Sequence, residues 1–396
     1  MWTLGIDIAK FKHNASLLDE SGRVVFKNLF FTNDGVGLEK LLNRIAETGR
    51  SPAGIVAGME STGHYWTLLY QHLKQRGFEV QLINPLITSA RRNIGIRGGK
   101  TDGIESLQIA KLLREIDLKK SALPDATVAE LRSLTRMRFE LMQDAVAEKI
   151  RLISLLDLAF PEYKDHFTDV FGRASREVLH NFPTAELLAK VDVRRLTGII
   201  SKASRGRMGR SQAEALKEAA QNSFARCLSN QTLEIEIKHL VDRLNLLLKQ
   251  IDELEKRIAD YLPDQQKLLQ TIPGIGKVWA PTILAEVMPI FNPERRDGGS
   301  AFVAQAGLDP KMNQSGCSEG KARMSKRGSK YLRTALIEAA SVAANTAKDP
   351  MFKAIYDKQI AKNKPHMVAV SHVANKLCHV IFAVLKNQKA YKPIIT

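Results

Sequence analysis

The 396-residue sequence predicts an α/β N-terminal domain, a long helical middle and a mostly α-helical, basic C-terminal domain. Three observations lead there. Strand-like and helix-like stretches alternate over the first third. Apolar residues then recur at steps of three and four for tens of residues. Finally, Lys and Arg collect in the last quarter: from Ala301 onward there are sixteen of them against five Asp and Glu.

The elements follow in order. "WTLGIDIA" is an apolar run of strand length. "HNASLLDESGRVVFKNLFF" holds two more strands about a turn at Ser21-Gly22, a meander rather than a strand–helix–strand start. "GVGLEKLLNRIAE" has helical spacing, "AGIVAGME" is a short apolar run ending in an acid, and "HYWTLLYQHLKQRG" is a helix stopped by Gly77. "FEVQLIN" is a strand stopped by Pro85. A loop rich in Arg and Gly, "RRNIGIRGGK", precedes "KTDGIESLQIAKLL", a helix opened by Asp102 and Glu105. The first domain, 1–122, therefore reads βββ-α-β-α-β-α.

The middle, 123–262, holds one helix from Asp125 to about Leu158 and another from about Thr232 to Leu262. In the second, Leu233, Ile237, Leu240, Leu244, Leu247, Ile251, Leu254, Ile258 and Tyr261 alternate steps of four and three, a heptad seam. Such a seam needs a partner helix, either the first long helix or another protomer. The stretch between, 160–228, is less regular, carries the basic turn "SKASRGRMGR" and reads as an inserted segment. In the last domain, 263–396, "LLQTIPGIGKVWAPTILAEV" is helix, P-G-I-G turn, helix. It resembles a helix-hairpin-helix, in which Gly274, Gly276 and Lys277 would meet a phosphate; a tight turn between packed helices is the other reading.

Charge narrows the class of partner. Lys and Arg number 59 against 42 Asp and Glu, for a formal charge of +17 and a pI near 9.7. That points to a polyanion, of which nucleic acid is the commonest. No uninterrupted apolar run of about 18 residues and no leader pattern is seen, so a cytoplasmic protein is expected. Cys227, Cys317 and Cys378 are too widely spaced for a zinc motif and too few for a disulfide framework.

Four acids carry the candidate chemistry. Asp7 lies inside an apolar strand, where a carboxylate is costly unless paired, hydrogen-bonded or metal-bound. Glu60 ends the fourth strand, and Asp102 and Glu105 are three apart on one helical face. An isolated D-x-x-E is ordinary helix-start chemistry. In a meander-first sheet, however, the first and fourth strands are central neighbours, and their ends face the helix that bears the other two acids. Converging carboxylates need cations among them, and oxygen-only ligands select Mg²⁺ or Mn²⁺. Two such ions about 4 Å apart can clamp the attacking and leaving oxygens of phosphoryl transfer. Farther on, Ser315 and Ser318 stand in a Gly-flanked loop followed by Lys321, Arg323, Lys326, Arg327, Lys330 and Arg333. This is either a solvated polar loop or a serine nucleophile in a cationic setting that stabilises phosphorane charge.

The acid pattern resembles the RNase H-like fold in its RuvC-type version, D…E…D-x-x-D, with Glu105 in place of the usual fourth Asp. "GIDIAK", "MESTGHYW", "LINP", "KTDGIESLQIAKLL", "IPGIG", "AGLDPKMNQSG" and "RMSKRGSKYLR" occur in that order. Together they resemble the insertion-sequence-110 family of DEDD transposases, relatives of the Piv DNA invertase, over roughly 1–160 and 230–392. Segment 160–228 is longer than in compact members.

The resemblance implies a RuvC-like domain joined through a coiled coil to a C-terminal transposase domain. It implies Mg²⁺ (or Mn²⁺) at Asp7, Glu60, Asp102 and Glu105, and Ser315 as nucleophile with Ser318 as the fallback. It also implies a composite site shared between protomers of a homo-oligomer (dimer or tetramer), and a structured noncoding bridge RNA that pairs with donor and target DNA. Strands would be cleaved, exchanged and religated through a serine-linked intermediate. A hydrolytic nuclease of the Holliday-junction-resolvase type, and a non-catalytic nucleic-acid scaffold, are the competing readings.

Overall fold

The structure, a computed structural model, describes residues 1–61, 63–83, 85, 87–88, 102–115, 125–225, 231–311, 314–315, 318–319 and 323–393. For 102–104, 311, 314–315 and 318–319 the description is of the backbone alone. The Arg- and Gly-rich loop at 91–100 lies outside the described residues. The chain divides into two compact units, Met1–Leu123 and Pro124–Thr396.

Unit 1 is a five-stranded mixed sheet with helices on both faces. The strands are β1 (Trp2–Asp7), β2 (Lys12–Leu18), β3 (Val24–Thr32), β4 (Ile55–Glu60) and β5 (Glu79–Ile83), in the order β3-β2-β1-β4-β5. β1, β2 and β3 run antiparallel; β4 lies parallel to β1, and β5 parallel to β4. The meander turns where Asp19 Oδ1 accepts from Ser21 N (2.8 Å) and Arg23 N (2.9 Å), with Gly22 at φ +85°. An Asx-type turn with a left-handed glycine reverses the chain at little cost. Helices α1 (Gly35–Ala46), α2 (Trp66–Gln75) and α3 (Asp102–Glu115) flank the sheet.

Alternation along the strands assigns the faces. Leu4, Ile6, Ala15, Leu17, Ile55, Ala57 and Met59 pack with Leu38, Leu41 and Ile45 of α1 and with Leu69, Tyr70 and Leu73 of α2. The opposite face receives α3, whose Ile109, Leu112 and Leu113 cluster with Val56 and Ile83. Gly5 lets α3 approach closely: a Cβ there would lie 2.0 Å from the Ser106 carbonyl oxygen and 2.3 Å from Ala110 N.

Unit 2 starts with α4 (Ala126–Ala159), capped by Asp125, whose side chain accepts from Thr127 N at 3.0 Å. It pairs with α9 (Gln231–Ala259). Contacts of Arg138 with Glu255 (2.8 Å) and Arg243 with Glu148 (2.9 Å) set the two helices antiparallel. The heptad seam finds its partner within the chain, with Leu244 and Ile251 closing on Ala145.

The described part of segment 160–228, residues 160–225, is more regular than its sequence suggested. It forms α5 (Arg173–Asn181), α6 (Ala185–Lys190), α7 (Val193–Ser204) and α8 (Arg210–Asn222). These surround a core of their own, with Tyr163, Val178, Leu188, Leu196, Ile200 and Leu216 buried and the facing ends of α4 and α9 completing it. The helices are 6 to 13 residues long, too short for a sustained period, so their apolar faces show only once they meet.

A further core joins α10 (Pro263–Leu269), α11 (Trp279–Val287), α12 (Gly298–Ala306), α13 (Lys330–Ser341), α14 (Pro350–Ile360) and α15 (His366–Asn387). α15 is long and apolar enough to cross a membrane by composition. Here Val370, Val373, Leu377, Ile381 and Leu385 are buried in this core, which accounts for the composition.

Candidate functional site

β1 and β4 are parallel neighbours with Ile6 opposite Met59, so Asp7 and Glu60 close the two central strands side by side. Asp7 thus terminates its strand rather than lying inside it, and it is half-buried. A carboxylate at a strand end keeps contact with solvent or ligand that a mid-strand carboxylate would lose. By alternation both acids belong to the face that α3 covers, on the same side as Gly5 and Gly58. α3 begins at Asp102 and carries Glu105, half-buried, in its first turn. The Asp102 side chain lies outside the described residues.

Three polar residues that the sequence reading passed over fasten this corner. Asn14 stands opposite Asp7 across the β1–β2 ladder. Ser106, the residue after Glu105, donates to Asn14 Oδ1 at 2.8 Å and shares a 2.8 Å hydrogen bond with Ser16 Oγ. All three are buried, and the chain ties the acid-bearing turn of α3 to the strand beside Asp7. The signal in "HNASLL" is that Asn14 and Ser16 alternate with Ala15 and Leu17, which marks a strand with one polar face; that this face is covered is seen only in the structure.

The donor set here is carboxylate oxygen from β1, β4 and α3, which suits a hard cation. Asn14 Nδ2 is buried and has no hydrogen-bond partner among the described residues, a donor that an added oxygen would satisfy. Among the described residues no group of three or more His, Cys, Asp or Glu side chains forms a ready metal cluster. Asp7, Glu60 and Glu105 lie toward one end of one face, but their side chains do not converge into such a group.

In unit 2, Ser315 lies in a short ladder. β7 (Gln314–Ser315) pairs antiparallel with β8 (Ser318–Glu319), and Ser315 is directly opposite Ser318. An outer ladder, β6 (Pro310–Lys311) with β9 (Arg323–Met324), continues the arm toward its base. The reading of a loop is thereby refined to a two-step β-arm, whose two-residue strands are too short to give a period. Its base is tightly made. Ser325 Oγ donates to Asp309 Oδ1 at 2.7 Å, Ser325 N to Asp309 O at 2.8 Å, and Ser329 N to Gln305 O at 2.7 Å. Gly307, at φ +64°, leaves room for the backbone of Arg327 and Gly328.

The basic run divides by role. Arg323, Lys326, Arg327 and Lys330 are exposed, whereas Arg333 donates to the Ala306 carbonyl at 2.9 Å and so anchors α13 to α12. Lys321 lies outside the described residues. In the P-G-I-G turn, Gly274 has φ +86°, and a Cβ there would lie 2.1 Å from the Ala339 carbonyl. The turn-between-packed-helices reading accounts for Gly274, while Gly276 and Lys277 remain exposed.

One buried charge holds this framework. The Glu286 side chain is fully buried on α11 and receives two hydrogen bonds each from Arg132 (3.3 and 3.0 Å) and Arg136 (2.7 and 3.1 Å) of α4. Burial alone would raise the Glu286 carboxyl pKa, but the two guanidinium groups outweigh it and hold it below the usual range. Arg136 also lies 4.7 Å from the centre of the Tyr331 ring, and the Tyr331 hydroxyl donates to Glu140 at 2.7 Å.

A mixed sheet with helices on both faces, acids at one end of its central strands, and a helical extension with an exposed basic run are consistent with an RNase H-like core and its extension acting on nucleic acid. Comparison with known proteins gives the relationship. Residues 4–161 match a family model described as a transposase, of the DEDD type found in IS110. Residues 266–357 match the model described as "Transposase IS116/IS110/IS902 family". The chain is similar to the mini-circle putative transposase for IS117 of Streptomyces coelicolor, with 24% identity over 99% of this chain and 97% of that protein. It is 23% identical to the pilin gene-inverting protein of Moraxella bovis, over 98% and 97% of the two chains. The transposase for IS1111A of Coxiella burnetii is 30% identical over 38% of this chain and 43% of its own. The chain is thus homologous, at the level of family, to the IS110/IS116/IS902 transposases and to the pilin gene-inverting proteins. That homology supports transposase or recombinase activity on DNA.

Proposed function

We propose that this chain is the recombinase of an insertion sequence: an RNA-guided enzyme that cleaves, exchanges and religates strands of donor and target DNA. One observation supports the reading: Asp7 and Glu60 end neighbouring strands on the face that α3 covers, and the first turn of α3 is tied through Ser106 to Asn14, opposite Asp7. The transposase matches at both ends of the chain agree with it. Asp7, Glu60, Asp102 and Glu105 would hold Mg²⁺ (or Mn²⁺) in the RuvC-type manner. When bound, the ion supplies positive charge at the scissile phosphate and its oxygens.

Ser315 is the nucleophile. Its Oγ bonds to phosphorus as the DNA's bridging oxygen leaves; the serine proton is lost and the departing oxygen is protonated. A phosphoserine ester then joins protein to strand. Attack on that ester by a hydroxyl of the other DNA restores the serine and joins the exchanged strands. Lys321, Arg323, Lys326, Arg327 and Lys330, with Lys277, hold the phosphate backbones and offset charge at the reacting phosphate. A structured noncoding bridge RNA supplies sequence choice by base pairing while the protein grips backbones. A dimer or tetramer of the chain, acting on DNA in the cytoplasm, brings the two partners together.

The test is an adduct assay. Protein, RNA transcribed from the flanking DNA, labelled donor and target DNA are incubated with Mg²⁺ and run on a denaturing protein gel. A labelled protein band that disappears in both Ser315→Ala and Asp102→Ala supports the reading. Cleaved DNA with no adduct, unchanged in Ser315→Ala, reassigns the chain as a hydrolytic nuclease of the junction-resolvase type.

A further inference from the structure

The basic turn inside the inserted segment has no part in the reading above, and it lies between the stretches that match the transposase models, 4–161 and 266–357. In the structure it is the tip of a two-helix hairpin. α7 ends at Ser204 and α8 begins at Arg210. The chain reverses through Arg205 at φ 56° and Gly206 at φ 79°. Ser204 Oγ accepts from Met208 N at 3.0 Å and closes the turn, and Arg207 Nε donates to the Ser204 carbonyl at 3.2 Å. The inward faces of both helices are committed to the local core: Leu196, Ile200 and Ala203 from α7, Ala213, Leu216 and Ala220 from α8. The tip is therefore a rigid projection.

Its surface is one-signed. From Val193 to Ala213 the sequence has six Lys and Arg and no Asp or Glu. At the tip Lys202, Arg205, Arg207 and Arg210 are all exposed, and among the described residues only Arg210 has an ion-pair partner, Glu214 at 2.7 Å. Lys202, Arg205 and Arg207 fall within six residues about one turn, and a polyanion relieves the repulsion among such like charges. Met208 is half-buried and no aromatic residue stands at the tip, so neither bilayer insertion nor stacking on unpaired bases is served. What remains is contact with regularly spaced phosphates.

We propose that the α7–α8 hairpin is a separate docking point for the sugar–phosphate backbone of a nucleic-acid duplex, gripping it through Lys202, Arg205 and Arg207. It acts independently of the acid set and of the serine arm. It adds affinity without sequence choice.

The test uses the full chain. The triple variant Lys202→Ala, Arg205→Ala, Arg207→Ala is compared with wild type for binding to one random-sequence 30-base-pair duplex, made as DNA and as RNA, over a salt series. A charge-matched control removes three exposed lysines that already face acids: Lys190→Ala, Lys249→Ala, Lys256→Ala. Helical circular dichroism and melting verify that all three proteins are folded. The hairpin variant should bind roughly tenfold more weakly near 0.1 M salt, with a log–log salt slope lower by about two to three. The control should stay near wild type. Loss on DNA alone, on RNA alone or on both identifies the duplex the hairpin holds. Wild-type affinity and slope on both duplexes, or an equal loss in the control, overturns the proposal. Because the readout is binding, failure of the adduct assay leaves this result unaffected.

Discussion

Replacing Gly5 with alanine tests whether the seating of α3 sets the candidate catalytic corner. The new Cβ would stand 2.0 Å from the Ser106 carbonyl oxygen and 2.3 Å from Ala110 N, both backbone atoms of α3. No side chain can swing aside, so the helix itself must lift. Ordinary contact begins near 3.4 Å, which requires a displacement of about 1.4 Å. Overpacking of this kind costs about 1–3 kcal/mol of stability. The lift would also stretch the 2.8 Å Ser106–Asn14 hydrogen bond and carry Asp102 and Glu105 away from Asp7 and Glu60. A misplacement of about 1 Å in reacting groups costs on the order of 100-fold in rate. Single-turnover cleavage of labelled donor DNA with Mg²⁺ should therefore fall about 100-fold, with duplex binding close to wild type. Gly58→Ala is the comparison, because the three nearest atoms its Cβ would meet are Cδ1, Cδ2 and Cγ of the Leu113 side chain, at 2.7–2.9 Å, rather than backbone, and it should cost less. If folded Gly5→Ala cleaves within about threefold of wild type, α3 does not position the acids and the site assignment fails.

Other predictions follow from the same geometry. Ser106→Ala leaves Asn14 Oδ1 buried without its donor and should lower the stability of unit 1 by about 1–3 kcal/mol, measured by denaturant melting. The double variant Arg132→Ala, Arg136→Ala strands the buried Glu286 carboxylate and should destabilise unit 2 by about 3–5 kcal/mol. Glu286→Gln should cost less, since both arginines retain access to water. Because the folded Glu286 pKa lies below its unfolded value, its contribution is present above the unfolded pKa and fades as pH falls through the folded one; Glu286→Gln should flatten acid unfolding in that range. Burial holds the His13 imidazole below its usual pKa, against a hydrogen bond with Asn33. Its stabilising effect is full above about pH 6.5 and declines as pH falls toward the folded pKa. His13→Asn should therefore flatten the pH dependence of unit 1 melting on the acid side of neutrality.

The order of strands and helices in unit 1 and the long helices of unit 2 were legible because each has a period that one stretch of sequence displays. Turn residues punctuated them: Gly77 follows α2, with φ +90°. Asp7 and Glu60 stood out because a carboxylate in or beside an apolar strand demands an explanation, and Asp102 and Glu105 because they stand three apart where a helical pattern begins. The short elements were illegible. The ladder that sets Ser315 opposite Ser318 is two residues wide, and the helices of 160–228 bury their faces only against one another.

By itself, the sequence determined the order of strands and helices in the first unit, the two long helices but not their pairing, the basic character of the C-terminal quarter and the candidate acids. These depend on local periodicity and residue type, which chain order carries intact. Tertiary structure alone decided which residues meet. Asn14, Ser16 and Ser106 join one hydrogen-bond chain across about ninety positions. Glu286 is reached by two arginines some hundred and fifty residues away, and Gly5 proved to be the seat of a helix. Such pairings arise when distant elements close over shared apolar faces and exclude water, and no local pattern encodes the partner.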